Sequence, residues 1–148
     1  MNVQDCLKAM GETGVVTANP LILCIDDEAL GLQIRKAVLE REGYRVLTAL
    51  DGASGLNLFL DEPVEGVILD YFMPGMDGGQ VAAAMRKQRP QVPILLLSAY
   101  VNLPAEVVQM VDFTVLKGEG PAELLTKIRR MLSSSQGETG TEALGESA

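Results

Sequence analysis

Three short apolar runs, Leu21 to Ile25, Val67 to Leu69 and Ile94 to Leu97, constrain this chain more than any other feature. None alternates apolar with polar residues, so none can turn one face to water. Runs of this length bounded by turn signals read as strands buried on both sides, the pattern of a parallel sheet covered by helices. The central run delivers one carboxylate, Asp70, and Pro74, Gly75 and Asp77-Gly78 follow it closely. Taken alone, Asp70 reads equally well as a turn cap. Yet the carboxyl end of a strand is where open α/β sheets place their ligands, so the rest of the chain must decide.

Helical patterns separate the runs. Asp26-Asp27-Glu28 is expected to start a helix, because carboxylates favour the positive end of the helix dipole and cap free N–H groups. Leu30, Ile34, Ala37, Val38 and Arg41 form the expected face of that helix, and Gly43 its stop. Tyr44 to Leu50 holds a second strand, and Ala53 to Leu60 a short helix with Leu56, Phe59 and Leu60 on one side. A helix from about Gly79 to Gln88 follows the central strand. A fourth helix begins at Pro104, with Val107, Val108 and Val111 along it. Phe113 to Leu116 is a fifth strand, and Pro121 opens a last helix with Leu124, Leu125, Ile128, Met131 and Leu132 on one face.

Five strands alternating with five helices predict a doubly wound (βα)5 domain, a five-stranded parallel sheet in the order 2-1-3-4-5 with right-handed crossovers. Residues 1–20 read as a flexible leader with one helical turn near Val3 to Met10, residues 21–133 as the domain, and residues 134–148 as a disordered acidic tail with nothing to bury.

In that strand order, strands one and three are neighbours, and Asp26, Asp27 and Asp70 gather at one rim. Ser98 and Lys117, each directly after a buried strand, reach the same rim. Helix capping explains one such placement; it does not explain four strand ends out of five. Two carboxylates about 4 Å apart repel by roughly 4 kcal/mol at a surface-like dielectric, so three together need compensation. Lys117 supplies one charge and a divalent cation would supply the rest. The chain has no histidine, which excludes a His-based metal site, a Ser-His-Asp triad and a phosphohistidine carried here. An all-oxygen donor set indicates Mg²⁺, or Mn²⁺, rather than zinc. Carboxylates, such a cation, an ammonium and a hydroxyl together suit a phosphoryl group held on Asp70.

The net charge of −8 argues against a nucleic-acid or anionic-membrane surface. No apolar run is long enough to span a membrane, and the first twenty residues lack a signal-peptide layout. Two cysteines, Cys6 and Cys24, make no disulfide framework, and a cytoplasmic location is expected.

From about Leu21 to Leu132 the chain resembles a receiver domain of the bacterial two-component response regulators. The likeness rests on Asp26-Asp27, on Asp70 followed by Met73-Pro74-Gly75-Met76-Asp77-Gly78, on Ser98-Ala99 and on Lys117. It implies a flavodoxin-like fold and a stand-alone signalling switch rather than an enzyme. Asp70 would accept the phosphoryl group of a phosphohistidine on a sensor histidine kinase or a histidine phosphotransfer protein. Asp27, Asp70 and the backbone carbonyl of Phe72 would hold the metal, with Asp26 assisting partly through water. Ser98 and Lys117 would stabilise the phosphoryl oxygens, and Pro74 and Gly75 would shape the loop after Asp70. A homodimer through helix four, strand five and helix five is compatible with the likeness.

Two departures bear on the output. Gly118 stands where receivers usually carry a proline after the lysine, so the loop Gly118-Glu119-Gly120 is expected to be more mobile. Thr114 stands where they usually carry a switching aromatic, and Phe113, one residue earlier, is expected to point to the other face. Either Tyr100 takes over the readout or the output surface works differently. Phe72 and Tyr100, each two residues beyond Asp70 and Ser98, would border the path of the hydrolytic water and slow loss of the phosphoryl group. Two other readings compete. A receiver-shaped binding module that works without phosphorylation is kept open by the altered switch positions, while the intact acidic set weighs against it. A hydrolase resembling the haloacid dehalogenase group would need a second acid where Phe72 stands. A flavin-binding role lacks a phosphate loop after Ile25.

Overall fold

The computed structural model describes residues 19–133. The expectations for the leader, its helical turn, Cys6 and the acidic tail fall on residues 1–18 and 134–148, outside the described part; of the leader only Asn19 and Pro20 are inside it. Five strands, β1 (Leu21–Ile25), β2 (Arg45–Ala49), β3 (Gly66–Asp70), β4 (Ile94–Ser98) and β5 (Phe113–Leu116), form one parallel sheet in the order β2-β1-β3-β4-β5. The helices are α1 (Ala29–Arg41), α2 (Gly52–Asp61), α3 (Gly78–Gln88), α4 (Ala105–Met110) and α5, residues 121–133. The predicted doubly wound architecture is therefore the observed one.

Alternate residues of the strands feed two cores. Leu21, Leu23, Ile25, Val67, Leu69, Ile94 and Leu96 meet Phe59 of α2, Val81 and Met85 of α3 and Val107 of α4. Ile22, Cys24, Ile68, Leu95, Leu97 and Val115 meet Leu32 and Leu39 of α1 and Leu124, Ile128 and Met131 of α5. β1, β3 and β4 are buried along their whole length, which is why their sequences do not alternate. Burying each large apolar side chain is worth about 1.5–3 kcal/mol, and both faces must be covered for these strands to stay dry. Burial also pushes the Cys24 thiol up to about 12, so it stays an uncharged core residue. Among the described residues no helix is long and apolar enough to cross a membrane.

Several helical faces differ from expectation. Leu30 and Ile34 of α1 are 71% and 57% exposed, whereas Leu32 and Leu39 are buried. The 3.6-residue period fits both stripes, and contact with β1 and α5 selects the second. Leu60 of α2 and Val108 of α4 are exposed in the same way, and Val111 lies past the end of α4. α1 begins at Ala29, and its N-cap residue Glu28 makes no side-chain cap. Of the acidic triplet before it, Asp26 and Asp27 join the rim cluster and Glu28 does not. By contrast, α2 and α3 are capped by side chains: Asp51 accepts from the Ser54 amide, and Asp77 and Gln80 form a reciprocal capping box.

Candidate functional site

The register of the sheet brings the polar strand ends to one edge. Ile25 pairs with Leu69, Asp70 with Leu97 and Ser98 with Leu116. Asp26 directly follows β1, Asp70 ends β3, Ser98 ends β4 and Lys117 directly follows β5. Carboxylate oxygens of Asp26, Asp27 and Asp70 lie within 4.8 Å of one another. Asp26 and Asp70 are buried, while Asp27 is exposed. The Lys117 ammonium is 3.0 Å from Asp70 Oδ1 and 3.3 Å from Asp26 Oδ2. The expected convergence of three acids and one lysine is thus present.

Charge at this rim is concentrated and partly dry. Burial holds the Asp70 carboxyl up at about 6; Lys117 draws it down, while Asp26 and Asp27 push it up further. Burial works against the Lys117 charge, but contact with Asp70 and Asp26 outweighs it and raises the ammonium above its ordinary range. The donor set is oxygen only, three clustered carboxylates with no histidine or cysteine among them, and matches a hard divalent cation. Asp27 and Asp70 could hold such an ion, with Asp26 at its side.

The remaining expected residues divide. Ser98 is buried at the rim, but its Oγ is engaged locally: it accepts from the Tyr100 amide at 2.8 Å and donates to the Tyr100 carbonyl at 3.0 Å. Gly75 has φ +84 and so takes a left-handed conformation that glycine adopts at no steric cost, next to the exposed Pro74. Gly78 lets α3 start against the end of β3: a β-carbon there would lie 2.7 Å from both the Asp70 carbonyl and the Tyr71 Cα. Phe72 and Tyr100, each two residues beyond a rim residue, are 69% and 54% exposed. Thr114 lines a cavity of about 280 Å³ with Ser98, Tyr100, Leu103 and Lys127. Phe113 packs into the α1–α5 core, on the opposite face, as expected. Lys117–Glu119 forms a 3₁₀ turn that overlaps the segment expected to be more mobile.

One charged residue at the rim went unforeseen. Arg35 of α1 places Nη1 3.2 Å from Asp26 Oδ2. Its signal was its place between Leu32 and Leu39, on the stripe of α1 that proves to be the buried one.

The model of the response regulator receiver domain matches residues 22–129. The chain belongs to this family. Among curated proteins, this receiver is 33% identical over 118 residues to an uncharacterised transcriptional regulatory protein of Bacillus subtilis, YbdJ, covering 78% of this chain and 52% of that one. It is 39% identical over 114 residues to a probable transcriptional regulator, ycf27, of Guillardia theta, covering 75% and 44%. The receiver therefore spans about half the length of these relatives. Among solved structures, a CheY-like receiver domain protein from Methanospirillum hungatei superposes with a TM-score of 0.78 at 28% identity, covering 81% of this chain and 98% of that one. The response regulator TrrA of Thermotoga maritima, solved in complex with Mg²⁺ and BeF, gives 0.73 at 34% identity, covering 76% and 99%.

Proposed function

We propose that this receiver accepts a phosphoryl group on Asp70 from the phosphohistidine of a sensor histidine kinase or a histidine phosphotransfer protein, with Mg²⁺, or Mn²⁺ in its place. The observation that carries the reading is the buried Asp70 carboxylate in contact with Lys117 and within 4.8 Å of two further carboxylates. An oxygen of Asp70 attacks phosphorus, the N–P bond breaks, and its electron pair returns to the donor imidazole. Lys117 stays beside Asp70 and offsets charge on the transferred oxygens. When bound, the cation supplies the remaining positive charge; Asp27, Asp70 and the Phe72 carbonyl would hold it, with Asp26 assisting. Ser98 can donate to a phosphoryl oxygen only by withdrawing its proton from the Tyr100 carbonyl, so loading Asp70 is coupled to the backbone of the β4–α4 loop.

The donor must reach the rim from outside. The exposed side chains Leu30 and Ile34 on α1, and the groove of about 220 Å³ between α1 and α5 that ends at Lys117, offer it an apolar seat. The α4–β5–α5 face, with Val108 exposed, is the surface assigned to self-association. On this reading the protein is a cytoplasmic switch that assists its own phosphorylation and dephosphorylation and turns over no separate substrate. The test is incubation of the full chain with acetyl phosphate and Mg²⁺, read by intact mass. The wild type should gain one phosphoryl group and Asp70→Asn none. Failure of the wild type would favour the second reading, a binding module independent of phosphorylation, for which the small Thr114 at the readout position speaks.

A further inference from the structure

Asp26 is wholly buried, and protein groups engage both of its oxygens. Oδ1 accepts from the Glu28 amide at 2.9 Å. Oδ2 faces two cations, Arg35 Nη1 at 3.2 Å and Lys117 Nζ at 3.3 Å. Arg35 is nearly buried itself, with 13% of its side chain exposed, so its charge is poorly screened. The other carboxylate near it is Glu28, whose Oε1 flanks Gly31 on the side of Arg35 Nη2; Glu28 is exposed and weighs less. Three ionised carboxylates against Lys117 alone would leave the rim with two negative charges. A divalent cation would then bring it to neutrality. With Arg35 counted, the rim carries one negative charge without a cation and would carry one positive charge with a divalent cation bound.

We infer that Arg35 is a positioning residue that sets the charge of the rim: it holds Asp26 in place without metal, weakens cation binding, and leaves the loaded site positive toward an anionic phosphoryl group. The inference rests on the metal site proposed above. Its signature is a pair of opposite effects, because one removed positive charge favours a cation and disfavours an anion at the same place. A residue that only packed α1 against the rest of the fold would not produce it.

The full chain is titrated with Mg²⁺ by calorimetry, and then with beryllofluoride at saturating Mg²⁺ by amide NMR shifts. Arg35→Gln keeps a donor for Asp26 and removes the charge. It should tighten Mg²⁺ binding by ~5- to 10-fold and weaken beryllofluoride binding by a similar factor. Arg35→Lys retains the charge and should stay within about 2-fold of the wild type on both axes. Thermal melts establish that each variant is folded. Unchanged or weaker Mg²⁺ binding in folded Arg35→Gln, beside normal binding in the wild type, would overturn the inference alone. Absence of Mg²⁺ binding in the wild type would overturn the metal site and this inference together.

Discussion

Replacing Asp70 by Asn should stabilise the metal-free protein at neutral pH. The Asp70 carboxyl is held up at about 6 from an ordinary value of 3.8, chiefly by burial. The folded state thus prefers the protonated acid, and between these two pH values it binds more protons than the unfolded chain. Stability contributed at this position falls as pH rises through the window and stays low above about pH 6. Some two units at 1.36 kcal/mol each set a ceiling of about 3 kcal/mol, and water reaching the rim lowers this to about 2 kcal/mol. For a domain of this size that is roughly 6–10 °C in melting temperature. Asn keeps the shape and an acceptor for Lys117, which retains Asp26 as its ionic partner. Thermal melts of both proteins in a chelator from pH 4 to pH 8 are the assay. The gap should be widest above pH 6 and close toward pH 4, and added Mg²⁺ should raise the melting temperature of the wild type preferentially. If Asn melts lower at pH 8 without metal, the ion pair with Lys117 dominates over burial and the reasoning is wrong.

The exposed Phe72 side chain, placed beside Asp70, should slow hydrolysis of the aspartyl phosphate; Phe72→Asn should shorten its half-life several-fold in a time course read by intact mass. Gly78→Ala puts a methyl group against the Asp70 carbonyl and Tyr71 Cα and should cost about 1–3 kcal/mol in urea unfolding. Arg86 joins α3 to the approaches to β4 and β5 through the carbonyls of Pro90, Val92 and Met110 and the carboxylate of Asp112. Arg86→Ala should lower stability by about 2–4 kcal/mol, and a loss below 1 kcal/mol would show that water replaces these bonds.

Strand identity and order were legible because burial on both faces leaves an unmistakable mark: Leu21 to Ile25 and Ile94 to Leu97 have no polar residue to turn outward. The rim was legible for the same reason, since Asp26, Asp70, Ser98 and Lys117 each break an apolar run at its carboxyl end. Helical faces were less so. On α1 two apolar stripes fit one period, and nothing local distinguishes Leu30 and Ile34 from Leu32 and Leu39. Only packing against β1 and α5 selected the inward stripe, and with it the direction of Arg35.

Chain order alone thus determined which residues end strands, and so which carboxylates and which lysine share an edge. Tertiary structure decided who holds whom there. Asp26 is gripped from α1 and from the end of β5 at once, and Ser98 is turned toward the Tyr100 backbone. Such contacts join residues from separate elements, and their distances are set by how helices seat on the sheet, which no local pattern encodes.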